Sequence, residues 1–190
     1  MSQKYLEYSL VEGFIHNWLV AGPHGYQEGQ GLPTMPIHPI ERDLLQINEK
    51  EYRWKYSRCQ EDHLTHLATS TQNRQLLVAW AYSLLKIPGQ VNVVLVVETS
   101  SPVTIWLNDE QILNQPDPGA QGAQHRLPIS LAETGKILVE LSGSAKGASA
   151  LNFSMRVTEP GSEELFKEIK VLVPTNARFP HRYQALEKLL

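Results

Sequence analysis

The chain has 190 residues, of which 42% are hydrophobic and 19% charged, enough length for one full core and a composition that folds rather than staying disordered. Its 17 basic and 20 acidic side chains leave a formal charge of −3, which excludes the broad positive field that attracts nucleic acid or anionic lipid. Cys59 is the sole cysteine; an intrachain disulfide and a thiolate zinc cage are excluded, no apolar run approaches the roughly 18 residues of a membrane span, and a cytoplasmic setting is expected.

In chain order, the apolar, β-prone run Phe14–Ala21 predicts a strand that Gly22-Pro23 ends. Residues 24–40 read as a loop. Glu41–Ile47 fits a short helix or a charged connection, and Tyr52–Tyr56, which alternates aromatic with basic residues, predicts a half-buried edge strand. Leu76–Leu85 is apolar throughout, but Ile87-Pro88-Gly89 stops it and a β-branched run follows, so a strand is predicted there too. Gln90–Thr99, nearly all valine and leucine, predicts a strand buried on both faces or central in a sandwich. Next, Val103, Ile105 and Leu107 share one face and Thr104, Trp106 and Asn108 the other. Asn108-Asp109-Glu110 then supplies the turn of a hairpin returning through Gln111–Leu113. Pro116–Gly122 reads as a loop tip. Three more strands are predicted over His125–Leu131, interrupted by Pro128, and over Lys136–Leu141 and Leu151–Val157. Short strands at regular intervals with turn signals between them predict a mainly β chain, an antiparallel sandwich over residues 1–160.

After Glu159-Pro160-Gly161 the pattern changes. Ser162, Glu163 and Glu164 form a helix-start signal, and Leu165, Phe166, Ile169 and Val173 fit one helical stripe. His181–Leu190 reads as a second helix without a stop signal. Residues 161–190 are therefore expected to be a short helical extension leading from an N-terminal piece into a further domain. Leu186, Leu189 and Leu190 would then form an apolar surface suited to a neighbouring domain of the same chain or to a homodimer.

Five stretches, Asn17–Pro23 (NWLVAGP), Ala79–Tyr82 (AWAY), Val103–Asn108 (VTIWLN), Gly135–Val139 (GKILV) and Phe153–Val157 (FSMRV), stand in an order similar to the strands of galactose-binding-like domains. These are jelly-roll β-sandwiches used as carbohydrate-binding or accessory modules in larger bacterial proteins. The resemblance implies an antiparallel jelly roll and a noncatalytic binding or docking module, with carbohydrate as the ligand and neighbouring domains as partners. A purely structural spacer or dimerisation domain is the alternative. Two positions depart from the pattern. Asn108-Asp109-Glu110 stands where an Asn-Gly hairpin is usual, and Lys136 or Ile137 stands where the glycine-led strand usually carries Asn.

No catalytic set assembles from the chemistry-bearing residues. His63 and His66 at i, i+3 on a helix would make an incomplete metal site, so both are expected to face solvent, and neither a metal nor a cofactor is expected. There is no Gly-x-Ser-x-Gly elbow, and Thr134-Gly135-Lys136 lacks the earlier glycine and the following hydroxyl of a P-loop. Asp109 and Glu110 are neighbours pointing in different directions, so they cannot flank one bond as glycosidase carboxylates do. Trp18, Trp80 and Trp106 lie inside apolar strands and are expected in the core. Trp54, between Arg53 and Lys55, is the ring expected to be exposed for stacking on a sugar face. Arg53, Trp54, His125 and Arg126 are accordingly the candidate ligand-binding residues, the last two beside the loop Pro118–Gly122.

Overall fold

A computed structural model describes residues 4–27, 39–47, 49–68, 76–119, 122–144, 151–162, 164 and 168–175. Its strands are β1 (Lys4–Ser9), β2 (Asn17–Tyr26), β3 (Leu44–Ile47), β4 (Lys50–Arg53), β5 (Lys55–Arg58), β6 (Thr65–Ala68) and β7 (Leu76–Lys86), followed by β8 (Val91–Thr99), β9 (Val103–Leu107), β10 (Glu110–Gln115), β11 (Ala123–Leu131), β12 (Thr134–Ser144), β13 (Leu151–Thr158) and β14 (Lys170–Thr175). No helix occurs among the described residues. One sheet of eight strands runs β1-β14-β7-β12-β9-β10, with β2 also along β7 and β5 along β2. A four-stranded sheet runs β11-β8-β13-β6, and β3 and β4 form a separate hairpin.

The continuous apolar character of β7 follows from its position. It pairs along its whole length with β12, and its other edge is shared by β2 and β14. Ala79, Ala81 and Leu85 point into the core between the two sheets, together with Val93, Leu95 and Val97 of β8 and Phe153 and Met155 of β13. Val78, Trp80, Tyr82 and Leu84 point the opposite way, into a second cluster with Leu45, Ile47 and Trp54 from the β3–β4 region. A strand covered on both faces needs apolar side chains at successive positions rather than at alternate ones. Trp18 anchors the inter-sheet core, meeting the Phe153 ring edge-on at 5.1 Å and donating its indole N–H to the Ile15 carbonyl at 2.8 Å.

Asn108 and Asp109 form the two-residue loop between β9 and β10, with φ of 49° and 71°. Both central residues left-handed is the turn whose twist matches a hairpin, and Asn and Asp tolerate it better than most residues. The turn is tied to β12: the Asn108 side-chain oxygen accepts from the Lys136 amide at 2.8 Å, and the Lys136 ammonium pairs with the Asp109 carboxylate. The acidic residues are a hydrated tip, as expected. Pro128 sits within β11 without breaking it, because β11 is an edge strand and has an unpaired side on which a missing N–H costs nothing.

Four expectations are corrected. The first strand does not end at Gly22-Pro23 but continues to Tyr26 through a register shift between Ala21 and His24. Gly22, at φ +100°, passes so close to β7 that a Cβ there would meet the Val78 carbonyl oxygen at 3.1 Å and the Ala79 Cα at 3.2 Å. Leu44–Ile47 is a strand, not a helix or a plain connection. Tyr52–Tyr56 is interrupted at Trp54, between β4 and β5. Most consequentially, the stretch assigned to a helical extension contains β14, inserted between β1 and β7. Ile169, Val171 and Val173 are fully buried, and the Thr175 hydroxyl donates to Glu41 Oε2 at 2.6 Å. Residues 170–175 therefore belong to the sandwich, beyond the boundary expected at 160. Leu165, Phe166 and the second expected helix, His181–Leu190 with its three leucines, lie outside the described residues.

Candidate functional site

The four residues singled out in the sequence do not converge. Trp54 was expected to be an exposed ring, and it is fully buried in the second cluster. Its backbone fixes this: the Trp54 amide donates to the Asp43 carbonyl at 3.1 Å and its carbonyl accepts from the Arg42 amide at 2.8 Å, so the ring is laid beneath the β3–β4 hairpin. Arg53 is exposed on the other side of the strand. His125 and Arg126 lie on β11 of the four-stranded sheet, with the eight-stranded sheet between them and Trp54. Neighbours on a strand face opposite ways. Accordingly His125 is half-buried on the side that faces the core while Arg126 is exposed. Among the described residues, the indole N–H of Trp54 and Nε2 of His125 are buried without a hydrogen-bond partner. Trp106 is corrected as well: it is half-buried on the outer face of the eight-stranded sheet, not in the core.

That outer face carries the group the sequence reading missed. Cross-strand register places Trp80 of β7, Glu140 of β12, Thr104 of β9 and Asn114 of β10 in one row, and directly opposed residues project to the same face. Glu140 is 9% exposed, and its Oε2 accepts the Trp80 indole N–H at 2.8 Å. Burial pushes the carboxyl above the usual carboxylate range, and the indole N–H pulls it partway back. Glu140 lines a cleft of about 440 Å³ with Tyr26, Thr104, Asn114, Gln115 and Ser142 as polar neighbours and Leu76, Pro102 and Pro116 as apolar ones. The arrangement offers a carboxyl, two amides and three hydroxyls within one concavity, against a partly apolar wall. Such a set can exchange several hydrogen bonds with a small polyhydroxylated molecule. Glu140 could be suspected from the sequence only as the single charge inside the apolar run Ile137–Leu141. Nothing local announces that Asn114 and Trp80 stand beside it.

A second polar concavity, of about 740 Å³, lies at the end of the sandwich where Glu12, His16, Arg58 and His63 meet. His63 and His66 were expected to face solvent. His66 does, paired with Asp62 at 3.2 Å, but His63 is turned inward against His16. Neither is on a helix. Among the described residues no group of three or more His, Cys, Asp or Glu side chains could hold a metal ion.

The fold and cleft thus define an antiparallel β-sandwich with a polar concavity on one sheet face. No family model matches the sequence, and no curated protein does. Among solved structures the chain is similar to the beta-glucosidase of Kluyveromyces marxianus in complex with glucose, at 12% identity and a TM-score of 0.47, over 77% of this chain and 16% of that one. It is also similar to the selenomethionine-labelled form of that enzyme, at 12% identity and a TM-score of 0.45, over 76% and 17%. The chain spans about a sixth of that enzyme's length. A likeness this remote carries no argument about ligand or chemistry.

Proposed function

We propose that this chain is a noncatalytic binding module of the galactose-binding-like, jelly-roll type, and that it holds carbohydrate in the cleft around Glu140. The observation that carries the reading is Glu140 itself: a carboxyl nine-tenths buried, fixed by the Trp80 indole, and bordered by hydroxyl and amide groups. Burying a carboxyl is costly unless something recovers the loss. A sugar ring supplies adjacent hydroxyls that donate to it, and its apolar face can lie on Pro102 and Pro116. The jelly-roll assignment is supported by the way the chain passes between sheets from β7 to β8, back to β9 and β10, across to β11, back to β12, across to β13 and back to β14. Binding without hydrolysis is favoured because Glu140 is the one carboxyl among the described lining residues, whereas the usual glycosidase mechanisms use two, about 5–9.5 Å apart.

A panel of neutral oligosaccharides built on glucose, galactose, mannose and xylose, titrated by calorimetry and followed by product analysis, tests this. The expected outcome is saturable binding of at least one class without cleavage. Glu140→Gln should weaken it about ten- to a hundredfold, the loss expected when a charged acceptor becomes a neutral one. Sugar cleavage would replace the reading with an enzymatic one. Absence of binding across the panel would favour a structural spacer that docks against neighbouring domains.

A further inference from the structure

The end cleft contains a linked pair of histidines that the proposed sugar site does not use. His16, 4% exposed just before β2, has Nε2 2.8 Å from Nδ1 of His63. Nε2 of His63 lies 3.4 Å from Glu12 Oε2. The His63 ring stacks on Phe14, with centroids 4.1 Å apart and planes within 6°. The Arg156 guanidinium lies 5.7 Å from the Phe14 centroid. The two walls of the cleft are the segment 11–16 and the turn 58–63. Glu12 and His63, one on each wall, both have left-handed backbone, with φ of 52° and 59°. Each sits in a tight turn that accounts for it, Glu12 with Gly13 between the mutually bonded Val11 and Phe14, and His63 closing a turn onto the Gln60 carbonyl.

We infer that His16 and His63 form a one-proton lock, which holds the two walls together with no added proton or with one and releases them when both rings are charged. The hydrogen-bond inventory requires that the ring-to-ring bond be lost at the second proton, which leaves the walls joined by backbone contacts, the Cys59 amide on the His16 carbonyl and the Asn17–Arg58 pairing. With both rings neutral, the His63 tautomer protonated at Nε2, whose N–H is turned toward the Glu12 carboxylate 3.4 Å away, leaves Nδ1 as the acceptor for the Nε2–H of His16. One added proton leaves one ring of the pair a double donor and the other still able to accept, so a single N–H···N bond survives. A second proton sets two N–H groups against each other at 2.8 Å, where no bond is possible.

The groups facing the pair are Glu12, Asp62 and Arg58, with Arg156 behind Phe14 and His66 on Asp62. Glu12 and Asp62 favour protonation of His16. Burial, then His63 and Arg58, oppose it and prevail, holding the imidazole below its ordinary range. The neutral ring is therefore the folded state's preference. The stability this contributes is complete above the ordinary histidine value of about 6.5 and is lost as pH falls toward the depressed one.

Cys59 reports on the lock, because it lines the cleft, is 8% exposed, and donates its amide to the His16 carbonyl at 2.9 Å. Trapping of this thiol in the whole chain by a pyridyl disulfide that reacts in acid, divided by the rate for free cysteine at the same pH, should rise as pH falls below the ordinary histidine value of about 6.5, by up to roughly tenfold per pH unit, and level off once the depressed value is passed. His63→Asn keeps a residue that tolerates the left-handed backbone but cannot titrate, and it should abolish the rise. Glu12→Gln, which withdraws a charge favouring protonation, should move it to lower pH. A normalised rate independent of pH in the native chain, or a rise that persists unchanged in His63→Asn, would overturn the inference. Should that variant not fold, nitrogen-15 shifts of the two rings in the native protein decide: both becoming charged while their mutual contact persists would refute the lock.

Discussion

Replacing Trp54 with alanine distinguishes most sharply between a core residue and a sugar platform. The ring is 0% exposed and packed among Leu45, Ile47, Tyr56, Trp80 and Val173. A buried tryptophan removes about 150–250 Å² from water, and at about 25 cal/mol per Å² this is worth roughly 4–6 kcal/mol, part of which alanine retains. Its indole N–H lacks a partner among the described residues, a cost of about 1–3 kcal/mol that the substitution relieves. The net loss should be about 3 kcal/mol, at the lower end of what large-to-small tryptophan substitutions cost. In a chain of this length that lowers the melting temperature by about 6–12 °C. Urea unfolding followed by far-ultraviolet circular dichroism measures it without relying on the fluorophore removed. Trp54→Phe, which keeps most of the packing and deletes the orphaned N–H, should stay within about 1 kcal/mol of the native chain. An alanine variant as stable as the native chain, yet unable to bind sugar, would refute the placement and restore the exposed platform.

Trp106→Ala, at a half-buried outer position, should cost about 1–2 kcal/mol in the same experiment, well short of the roughly 3–5 kcal/mol of a core tryptophan. A chain ending at Glu159 loses β14, the partner of all of β1 and of the end of β7. Heating should show a broad or absent unfolding transition, whereas a melting curve equal to the native one would show that β14 is dispensable. The Glu140 carboxyl is raised by burial, so the folded state binds its proton more tightly than the unfolded chain does. Its contribution to stability is complete below the unfolded value of about 4.3 and is lost as pH rises through the folded one. Glu140→Gln should therefore flatten the pH–stability profile in that window and raise neutral-pH stability relative to the native chain. An unchanged profile in the variant would place this carboxyl in water.

The sandwich was legible because its central strands carry unambiguous local signals. Val91–Thr99 is too rich in β-branched residues for anything else, and the hairpin at Asn108-Asp109 has both alternation and turn chemistry. Lys170–Thr175 was misread because Ile169 and Val173 satisfy a helical spacing, while Ile169, Val171 and Val173 equally satisfy a period of two. The choice is made by the unpaired edges of β1 and β7, which are distant in sequence. Trp54 was misplaced for a related reason. Tyr52, Trp54 and Tyr56 alternate with Arg53 and Lys55, which says that two faces differ but not which one turns inward. Trp106 carried its own warning, sharing a face with Thr104 and Asn108. The row Trp80–Glu140–Thr104–Asn114 comes from four strands in register and has no local trace, and the contact of His16 with His63 is likewise purely tertiary.

The central claim, that saccharide binds on the outer face at Glu140, is tested most directly by mapping amide shifts of the labelled chain during titration with whichever neutral oligosaccharide binds. Perturbations should concentrate at Tyr26, Thr104, Asn114, Glu140 and Ser142 and should fade in Glu140→Gln, leaving His125 and Arg126 on β11 unmoved. Shifts centred on His125 and Arg126, with the β9–β10–β12 face silent, would contradict the account.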